Sequence, residues 1–325
     1  MTAFWGTGKL RLIAVLLLSV QVVSACSSTS ATTAPAATTA PAATTTAAGS
    51  TTTGPAASGA AEWQAILQAK TITWGVANEP PLTVWPTDSD TVTGQGPEEI
   101  RVIFTALGIT NFKSVRLEFS GLIPGLQAKR FDVIANGLTI NDARCGQVAF
   151  SNPFLIGQQG LVVKKGNPLN IHSMKDIAAN PNIRVGVLQG AIEITYLQTA
   201  GVPDNQVLKF PDNASVFAAL QAGRLDAIEM EAAPMRYQLK GLNDPNMEEA
   251  TPYAQPVDAS GKPIIAYQAV AFRKDDTAMR DAFNVALANA LQSGALLKAA
   301  EPFYITQANM PPAGVKTTDL CPGGN

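Results

Sequence analysis

The stretch from Leu122 to Phe154 constrains the fold of this chain more than any other part of the sequence. Within it, Phe131 to Ala135 is an apolar run interrupted by one aspartate, which predicts a buried strand of an α/β sheet. Asn136-Gly137 is expected to end that strand, and Thr139 and Arg144 are expected to project from the following loop. Ligands of open α/β sheets bind beyond the carboxyl ends of strands, so this loop is a candidate binding site.

Arg144 is the candidate anchor for an anionic ligand group, because a guanidinium offers a planar, bidentate match to a carboxylate. The alternative is a surface ion pair with Asp132 or Asp142. Thr139, five residues earlier, is placed to donate its hydroxyl to the same carboxylate. Its alternative role is that of a hydroxyl that caps the loop.

Residues 1–26 have the pattern of an export signal. Lys9 and Arg11 supply a positive start, and Leu12 to Val23 is apolar but too short to span a bilayer. The sequence Val-Ser-Ala-Cys that ends at Cys26 looks like a lipobox, which predicts cleavage before this cysteine and lipid attachment to it. An ordinary signal peptide with an incidental cysteine is the alternative. The protein is therefore expected to be exported and anchored by lipid at the outer face of the cell membrane, or to be periplasmic.

Residues 27–61 predict a disordered linker. The segment contains Thr, Ala, Ser, Pro and Gly but no charged residue, and the string TTAPAA occurs twice in it. Such a composition cannot bury enough apolar surface to offset the entropy lost on ordering.

The cysteines provide a further constraint. If Cys26 carries lipid, Cys145 and Cys321 remain as one pair. In an exported protein such a pair is most simply a disulfide, and two free thiols are the alternative.

The formal net charge is −2 and no basic stripe is visible, which argues against a nucleic-acid partner.

From about residue 62 onward the hydrophobic pattern predicts two α/β units, the second inserted into the first, with two crossing strands as a hinge. The predicted strands are Thr71–Val76, Ser114–Phe119, Phe131–Ala135, Gly160–Lys164, Arg184–Leu188, Val207–Phe210, Leu225–Ile228 and Ala266–Arg273. The predicted helices are Pro97–Leu107, Leu122–Lys129, one that begins at Ser173, Glu193–Leu197, Ala214–Ala222, Asp275–Ser293 and Leu296–Phe303.

Six local strings carry a family resemblance: LIPGL, RFDVIANG, RCGQVAFSNP, KKGNPLNIHS, FPDN and AGRLDA. With them, the chain resembles the bacterial extracellular solute-binding proteins of family 3, and within that family the ectoine- and hydroxyectoine-binding branch, which the cysteine pair also resembles. The resemblance implies a two-lobed α/β fold of the type II periplasmic binding proteins. Lobe 1 would comprise residues 62–157 and 270–325, and lobe 2 would comprise residues 158–269.

The resemblance also implies a ligand site. Arg144 would bind the ligand carboxylate, with the backbone N–H groups of Ala191 and Ile192 closing over it from lobe 2. Amino-acid binders of the family usually carry a threonine in this turn, so this chain lacks one hydroxyl there but no backbone donor. Glu79 would face the cationic side of the ligand, with Glu231 as a second candidate.

Asp212, in the string FPDN, is a third candidate acid, and solvated surface carboxylates are the alternative for all three acids. Phe119 would form an aromatic wall, with core packing as its alternative. Two further aromatic positions of the ectoine branch hold Leu82 and Thr139 here, and Trp85 is placed to supply one wall from another direction.

No cofactor, metal or catalytic residue is expected. His172 is the single histidine, so a zinc site lacks ligands, and no P-loop, dinucleotide fingerprint or Ser–His–Asp arrangement is present. The resemblance implies a monomeric receptor that delivers a small zwitterion, most simply ectoine, to an ABC permease. The alternatives are a receptor for polar amino acids, a dehydratase-type enzyme on the same fold, and a sensory binding subunit.

Overall fold

The computed structural model describes residues 55–87 and 89–322. The predicted signal segment, the lipid site at Cys26 and most of the predicted linker lie outside these residues. The helices are α1 Pro55–Ala69, α2 Gln95–Ala106, α3 Leu122–Gln127, α4 Asp142–Cys145, α5 Met174–Ala179, α6 Glu193–Thr199, α7 Asn213–Gln221, α8 Ala232–Leu242, α9 Thr277–Gln292, α10 Ala295–Ala300 and α11 Thr317–Leu320. The strands are β1 Thr71–Val76, β2 Asn111–Arg116, β3 Val133–Thr139, β4 Ala149–Phe150, β5 Leu155–Gly157, β6 Gln159–Lys164, β7 Val185–Leu188, β8 Val207–Phe210, β9 Ala227–Glu231, β10 Met247–Glu249 and β11 Ala266–Phe272.

The strands form two mixed sheets. The first sheet has the order β2-β1-β3-β11-β4, with β5 paired to β11. The second has the order β10-β6-β9-β7-β8. All strands of the second sheet lie between Gln159 and Glu249, flanked along the chain by strands of the first. The chain leaves the first sheet after Gly157 and returns to it at Ala266, and these two residues pair antiparallel.

Both faces of each sheet are buried under helices, as is typical of sheets that contain parallel strands. In the first sheet, Trp74 and Phe272 pack with α2, α9 and α10 on one face, while Ile134 and Phe150 pack with α3 on the other. In the second sheet, one face packs against α5 and α6 and the other against α7 and α8. The carboxyl ends of the parallel strands β1, β3, β7 and β9 lead into the loops and helices that form the site described below.

The ordered chain begins before residue 62. The prediction of disorder as far as residue 61 is wrong for residues 55–61, because α1 starts at Pro55. The indole of Trp63 and the side chain of Ile66 are buried in the core with α9, and Gly59 lies so close to the carbonyl of Asp275 that a Cβ atom would clash with it. Packing of this helix therefore offsets the ordering entropy of its alanine-rich first turns.

The strand near Asn136 also departs from the prediction. Asn136-Gly137 does not end β3, which continues to Thr139 and pairs with β11 there. Gly137 has a φ of 65°, a left-handed conformation that glycine adopts without strain, and the pairing register with β11 shifts beside it. The chain therefore passes through a bulge where a turn was expected.

Two further local predictions are corrected. The second strand spans Asn111–Arg116, three residues earlier than predicted, because these residues pair in parallel register with Thr71–Val76. Phe119 consequently begins a 3-10 turn and does not end a strand. The sequence pattern also did not predict α8 or the strands β4, β5 and β10. The apolar runs of these three strands are too short to give a clear period.

The predicted disulfide is present: Cys145 at the end of α4 is bonded to Cys321 after α11, across a sequence separation of 176. The predicted cap of α5 is present too, since the Ser173 hydroxyl accepts a hydrogen bond from the backbone N–H of Asp176. No helix in the described part of the chain is long and apolar enough to cross a membrane.

Candidate functional site

A cavity lies between the two sheets, and both of them contribute to its wall. The first sheet and its loops supply Glu79, Leu82, Phe119, Asn136, Gly137, Thr139 and Arg144. The second sheet and its helices supply Leu188, Ala191, Ile192, Glu193, Asn213, Met230, Glu231 and Pro234. Eight of the ten predicted ligand-binding residues line this cavity, and its volume of about 40 Å³ indicates that the two walls approach closely.

Arg144 spans the gap between the two sheets. Its backbone is held by α4, whose first turn is capped by Asn141: the Asn141 carboxamide oxygen accepts from the Arg144 N–H at 2.8 Å. The Nη1 atom of the Arg144 side chain donates to the Thr139 carbonyl at 2.8 Å, and Nη2 donates to the Gly190 carbonyl at 3.0 Å. Arg144 is only 7% exposed, and burial lowers the pKa of its guanidinium from the usual value.

The expected alternative partners of Arg144 are engaged elsewhere or exposed. Asp132 accepts a hydrogen bond from the backbone N–H of Thr73 at 2.8 Å, and Asp142 is exposed. Among the described residues, no carboxylate forms an ion pair with Arg144 within 4.0 Å. The guanidinium therefore retains charge and donors with which it can bind an acceptor in the cavity.

Glu79 is positioned by Asn136, a cavity residue that the sequence did not single out. The Oδ1 atom of Asn136 accepts a hydrogen bond from the Ala77 N–H at 2.6 Å. Its Nδ2 atom donates to the Ala77 carbonyl and, at 2.9 Å, to Oε2 of Glu79. Burial raises the pKa of Glu79 to about 7, partly offset by the hydrogen bond from Asn136. This carboxyl group therefore takes either protonation state near neutral pH.

Glu231 ends β9 and faces the strand by which the chain returns to the first sheet. Its Oε2 atom accepts a hydrogen bond from Nε2 of Gln268 on β11 at 2.8 Å. Burial, with contributions from the charges of Glu193 and Glu79, raises the pKa of Glu231 to about 8. The Gln268 bond thus ties this acid of the second sheet to the first sheet.

Glu193 is the principal cavity residue that the sequence reasoning missed. It opens α6 directly after the turn at Gly190 and is 5% exposed. Burial raises the pKa of Glu193 to about 7. This shift is opposed by a hydrogen bond that the carboxylate accepts from its own backbone N–H, by the charge of Arg144 and by a hydrogen bond from Gln159. An acidic residue in the first turn of a helix that follows a buried strand was the available sequence signal.

The cavity is therefore lined by one guanidinium, that of Arg144, and by three buried carboxyl groups, those of Glu79, Glu193 and Glu231. A buried cation and buried anions are both costly unless each meets a partner of opposite charge. The arrangement can bind one anionic group at Arg144 and a cationic group among the carboxyls. It is therefore chemically suited to a small molecule that carries both charges.

The turn that follows β7 differs from the expected anion-binding loop. The N–H of Ala191 already donates to the Leu188 carbonyl at 3.1 Å, so in this structure it is engaged within the turn. Gly190 has a φ of 82°, and a Cβ atom there would lie 3.2 Å from the Cα of Ser120 in the opposite wall. This glycine thus permits a close approach between the two sides of the cavity.

Apolar side chains complete the cavity. Leu82, Leu188 and Ile192 are buried, and the ring centroid of Phe119 lies 5.8 Å from Cζ of Arg144, a cation–π distance. Thr139 is buried at the end of β3, where its carbonyl holds Arg144. The walls around the charged groups are thus partly apolar.

Trp85 and Asp212 lie apart from this set. Both line a neighbouring cavity that shares Glu79, Phe119, Leu188 and Asn213 with the first. The carboxylate of Asp212 caps α7 by accepting from the Ser215 N–H at 2.7 Å. The structure therefore gives Asp212 a role in helix capping and places it beside the main cavity.

Comparison with known proteins agrees with this geometry. Residues 72–306 match the model for "Bacterial extracellular solute-binding proteins, family 3". A probable amino-acid ABC transporter periplasmic-binding protein of Sinorhizobium fredii is 34% identical over 232 residues, which are 71% of this chain and 75% of the relative. The lysine/arginine/ornithine-binding periplasmic protein of Escherichia coli is 31% identical over 194 residues, 58% of this chain and 71% of the relative.

Among solved structures, EhuB in complex with hydroxyectoine is similar, with a TM-score of 0.72 and 35% identity over 79% of this chain and 96% of that chain. The two-sheet architecture is therefore that of the type II periplasmic binding proteins. The family match covers most of the chain, and both relatives are named as periplasmic binding proteins, the Sinorhizobium fredii one of an ABC transporter. This protein belongs to family 3 of the bacterial extracellular solute-binding proteins.

Proposed function

We propose that this protein captures ectoine or hydroxyectoine between two lobes, one built on each sheet, and delivers it to an ABC permease. The observation that carries the proposal is that the residues lining one cavity include the guanidinium of Arg144 and the carboxyls of Glu79, Glu193 and Glu231. Ectoine carries one carboxylate and one delocalised cation. The hydroxyectoine complex of the similar protein EhuB supports this choice within the family.

In the proposed complex, Arg144 binds the ligand carboxylate and the buried acids neutralise the cation. Phe119, with Leu82 and Ile192, covers the apolar part of the ring. Ile192, Glu193 and Glu231 come from the second sheet, whereas Arg144 and Glu79 come from the first. Because both charges need partners from both walls, the ligand favours the closed arrangement of the lobes.

We place the hinge at the two crossings of the chain, one between Gly157 and Gln159 and the other just before Ala266. The bond from Gln268 to Glu231 lies beside these crossings and couples ligand charge to closure. We also propose that the protein acts as a monomer and is held at the outer face of the membrane by lipid on Cys26.

A polar amino acid is the second candidate ligand. The named functions of the Sinorhizobium fredii and Escherichia coli relatives favour it, and three carboxyls exceed what one delocalised cation requires. The α-carboxylate would occupy the same place at Arg144. The α-ammonium group would lie among the acids.

We infer that the site binds without chemical turnover, since the relatives are named as binding proteins. A dehydratase-type enzyme would use Glu79 or Glu231 as its acid or base, and burial raises the pKa of both groups. The test is a thermal-shift panel on the purified full chain, with ectoine, hydroxyectoine and the polar amino acids, followed by NMR spectra of the ligand recovered after incubation. We expect the largest shift with ectoine or hydroxyectoine and an unchanged ligand spectrum. A larger shift with an amino acid would select the second candidate, and a new product would indicate an enzyme.

A further inference from the structure

The first residue of β6, Gln159, lies at an edge of the second sheet. Strand β10 pairs with Val162–Lys164, and the Ala250 N–H extends this edge by donating to the Leu161 carbonyl at 2.8 Å. Among the described strands, Gln159 pairs with β9 alone, so the other side of its backbone has no strand beside it. Gln159 is also where the chain enters the second sheet after the crossing at Gly157. Its backbone therefore needs another partner if it is to be held in place beside the proposed hinge.

The side chain of Gln255 takes the place of the missing strand. Its Oε1 atom accepts a hydrogen bond from the Gln159 N–H at 2.9 Å, and its Nε2 atom donates to the Gln159 carbonyl at 2.8 Å. A residue in an antiparallel strand exchanges the same two bonds with the residue opposite. Because one backbone group requires an acceptor and the other a donor, they fix the orientation of the Gln255 carboxamide. Gln255 thus clasps the backbone of Gln159 directly beside the proposed hinge.

Gln159 in turn contacts an acid of the main cavity. It is 5% exposed, and its side chain donates a hydrogen bond to the carboxyl of Glu193. In the pairing of β6 with β9 it also lies opposite Glu231. Neither Gln159 nor Gln255 is among the residues that line the cavity. The two glutamines are therefore placed to act on a bound ligand through the acids.

The hydrogen bond from Gln159 favours the ionised form of Glu193, since a donor stabilises a carboxylate more than a neutral carboxyl. Burial raises the pKa of Glu193 to about 7, and both the Gln159 bond and the charge of Arg144 oppose that rise. The other titratable groups that interact with Glu193 are Glu79, Tyr196, Glu229, Glu231 and Tyr253. Negative charge on these groups favours the protonated form of Glu193, because like charges repel. Loss of the donor would therefore keep Glu193 neutral up to a higher pH, and a neutral carboxyl cannot neutralise a ligand cation.

We propose that Gln159 is a positioning residue for ligand capture: clasped by Gln255 beside the hinge, it keeps the Glu193 carboxyl ionised for the cationic group of the ligand. The proposal rests on the proposed function, in which the buried acids neutralise that group. The two hydrogen bonds of the clasp place Gln159, and Gln159 places the donor for Glu193. A side chain from the segment that follows β10 thereby links the hinge to the site.

Titration calorimetry of the full chain with ectoine at pH 7 and pH 9 tests this arrangement. Gln159→Met keeps the length of the side chain but has no donor. We expect it to weaken binding about tenfold at pH 7, the smaller estimate for a hydrogen bond to a charged group. The loss should nearly vanish at pH 9, where Glu193 is ionised without the donor. The other acids titrate in both proteins, so the ratio of the variant Kd to the wild-type Kd isolates the effect on Glu193.

Gln255→Ala removes the clasp and should weaken binding about threefold at pH 7, with the same recovery at pH 9. In the Gln159→Met background it should have no further effect, because Gln255 acts through Gln159. Gln255→Glu keeps the acceptor for the Gln159 N–H and should lie between Gln255→Ala and wild type, which provides a second variant if Gln255→Ala does not fold. The control is Gln127→Ala, which removes an exposed glutamine bond to the Gln147 carbonyl near the first sheet.

A purely structural role of the glutamines would weaken binding equally at the two pH values, and the losses would add in the double variant. Either result overturns the proposal, as does wild-type affinity of Gln159→Met at pH 7, while the proposed function stands. If a polar amino acid binds in place of ectoine, it becomes the probe, because its cation pairs with the same acids. If wild-type protein binds neither ectoine nor any amino acid of the thermal-shift panel, the proposed function is refuted, and the role of the glutamines with it.

Discussion

The Nη2 atom of Arg144 donates a 3.0 Å hydrogen bond to the backbone carbonyl of Gly190. This bond joins α4, which follows β3 of the first sheet, to the turn after β7 in the second sheet. The same guanidinium is thus the proposed carboxylate anchor and a contact that holds the two walls together. A carboxylate that binds at Arg144 would add a charge-assisted bond at the point where the walls meet.

Replacement of Arg144 tests this anchor. We expect Arg144→Ala to weaken ligand binding by at least about 100-fold, because the buried ligand carboxylate would lose its charge partner. Arg144→Lys should recover part of the affinity, since it keeps the charge but loses the bidentate geometry. Titration calorimetry measures both variants, with Asp142→Asn, an exposed neighbour on α4, as the control. Near-normal affinity of Arg144→Ala would refute the assignment.

Glu79 is expected to pair with the cationic part of the ligand. Glu79→Gln preserves the shape and a hydrogen-bonding oxygen for Asn136 but removes the charge, so we expect an affinity loss of about tenfold or more. Equilibrium binding at pH 8 measures this effect under conditions in which the wild-type carboxyl is mostly ionised. The exposed substitution Glu301→Gln serves as the control. Equal affinity of Glu79→Gln and wild type would place the ligand cation elsewhere.

Stability of the ligand-free protein should fall as the pH rises from 5.5 to 8.5. Burial raises the pKa of Glu79 and of Glu193 to about 7 and that of Glu231 to about 8, whereas the ordinary pKa of a glutamate is 4.5. The folded state thus binds these protons more tightly than the unfolded chain. Their stabilising contribution is complete below pH 4.5 and is lost as the pH rises through 7 to 8.

Calorimetric Tm values at pH 5.5, 7 and 8.5 check this dependence. The buried acids Glu99 and Glu229, whose pKa values are also raised by burial, act in the same direction. Glu231→Gln should show a smaller decrease in Tm than wild type, because one titrating group is absent. A Tm that increases over this range would contradict the assignment of raised pKa values.

The disulfide between Cys145 and Cys321 should stabilise the protein. It closes a loop across a sequence separation of 176 and fixes the C-terminal helix α11 beside α4, which carries Arg144. Replacement of both cysteines by serine is expected to lower the free energy of unfolding by about 2–4 kcal/mol. Denaturant unfolding of the variant and of wild type gives this value. Equal midpoints and slopes for the two proteins would show that the bond contributes nothing.

The sequence predicted the alternation of strands and helices well because most elements carry a clear apolar period. Arg144 was found because it lies in the loop after a predicted strand, and the family resemblance pointed to Glu79 and Glu231. Glu193 and Asn136 were missed because their importance comes from burial between two walls that are far apart in sequence. Burial of these side chains and their contacts across the cleft depend on tertiary packing, which the local periodicity of the sequence does not predict.

Other differences have the same origin. The start of α1 at Pro55 depends on packing against α9, and the continuation of β3 through Gly137 depends on β11, more than 100 residues later. Asp212 looked like a ligand acid in sequence, but its offset of three residues from Ser215 is also that of an N-cap, and the structure uses it as one. From sequence alone, an aspartate that caps a helix cannot be told from one that binds a ligand until the start of the helix is known.

The central claim is that the cleft at Arg144 binds a compatible-solute zwitterion. The most direct measurement is a calorimetric titration with ectoine of the full chain, purified by unfolding and refolding to remove any ligand carried over from expression. We predict saturable, one-to-one binding with micromolar or tighter affinity, which Arg144→Ala abolishes. No heat at several temperatures, with binding of a polar amino acid instead, would contradict the assignment of ectoine as the ligand.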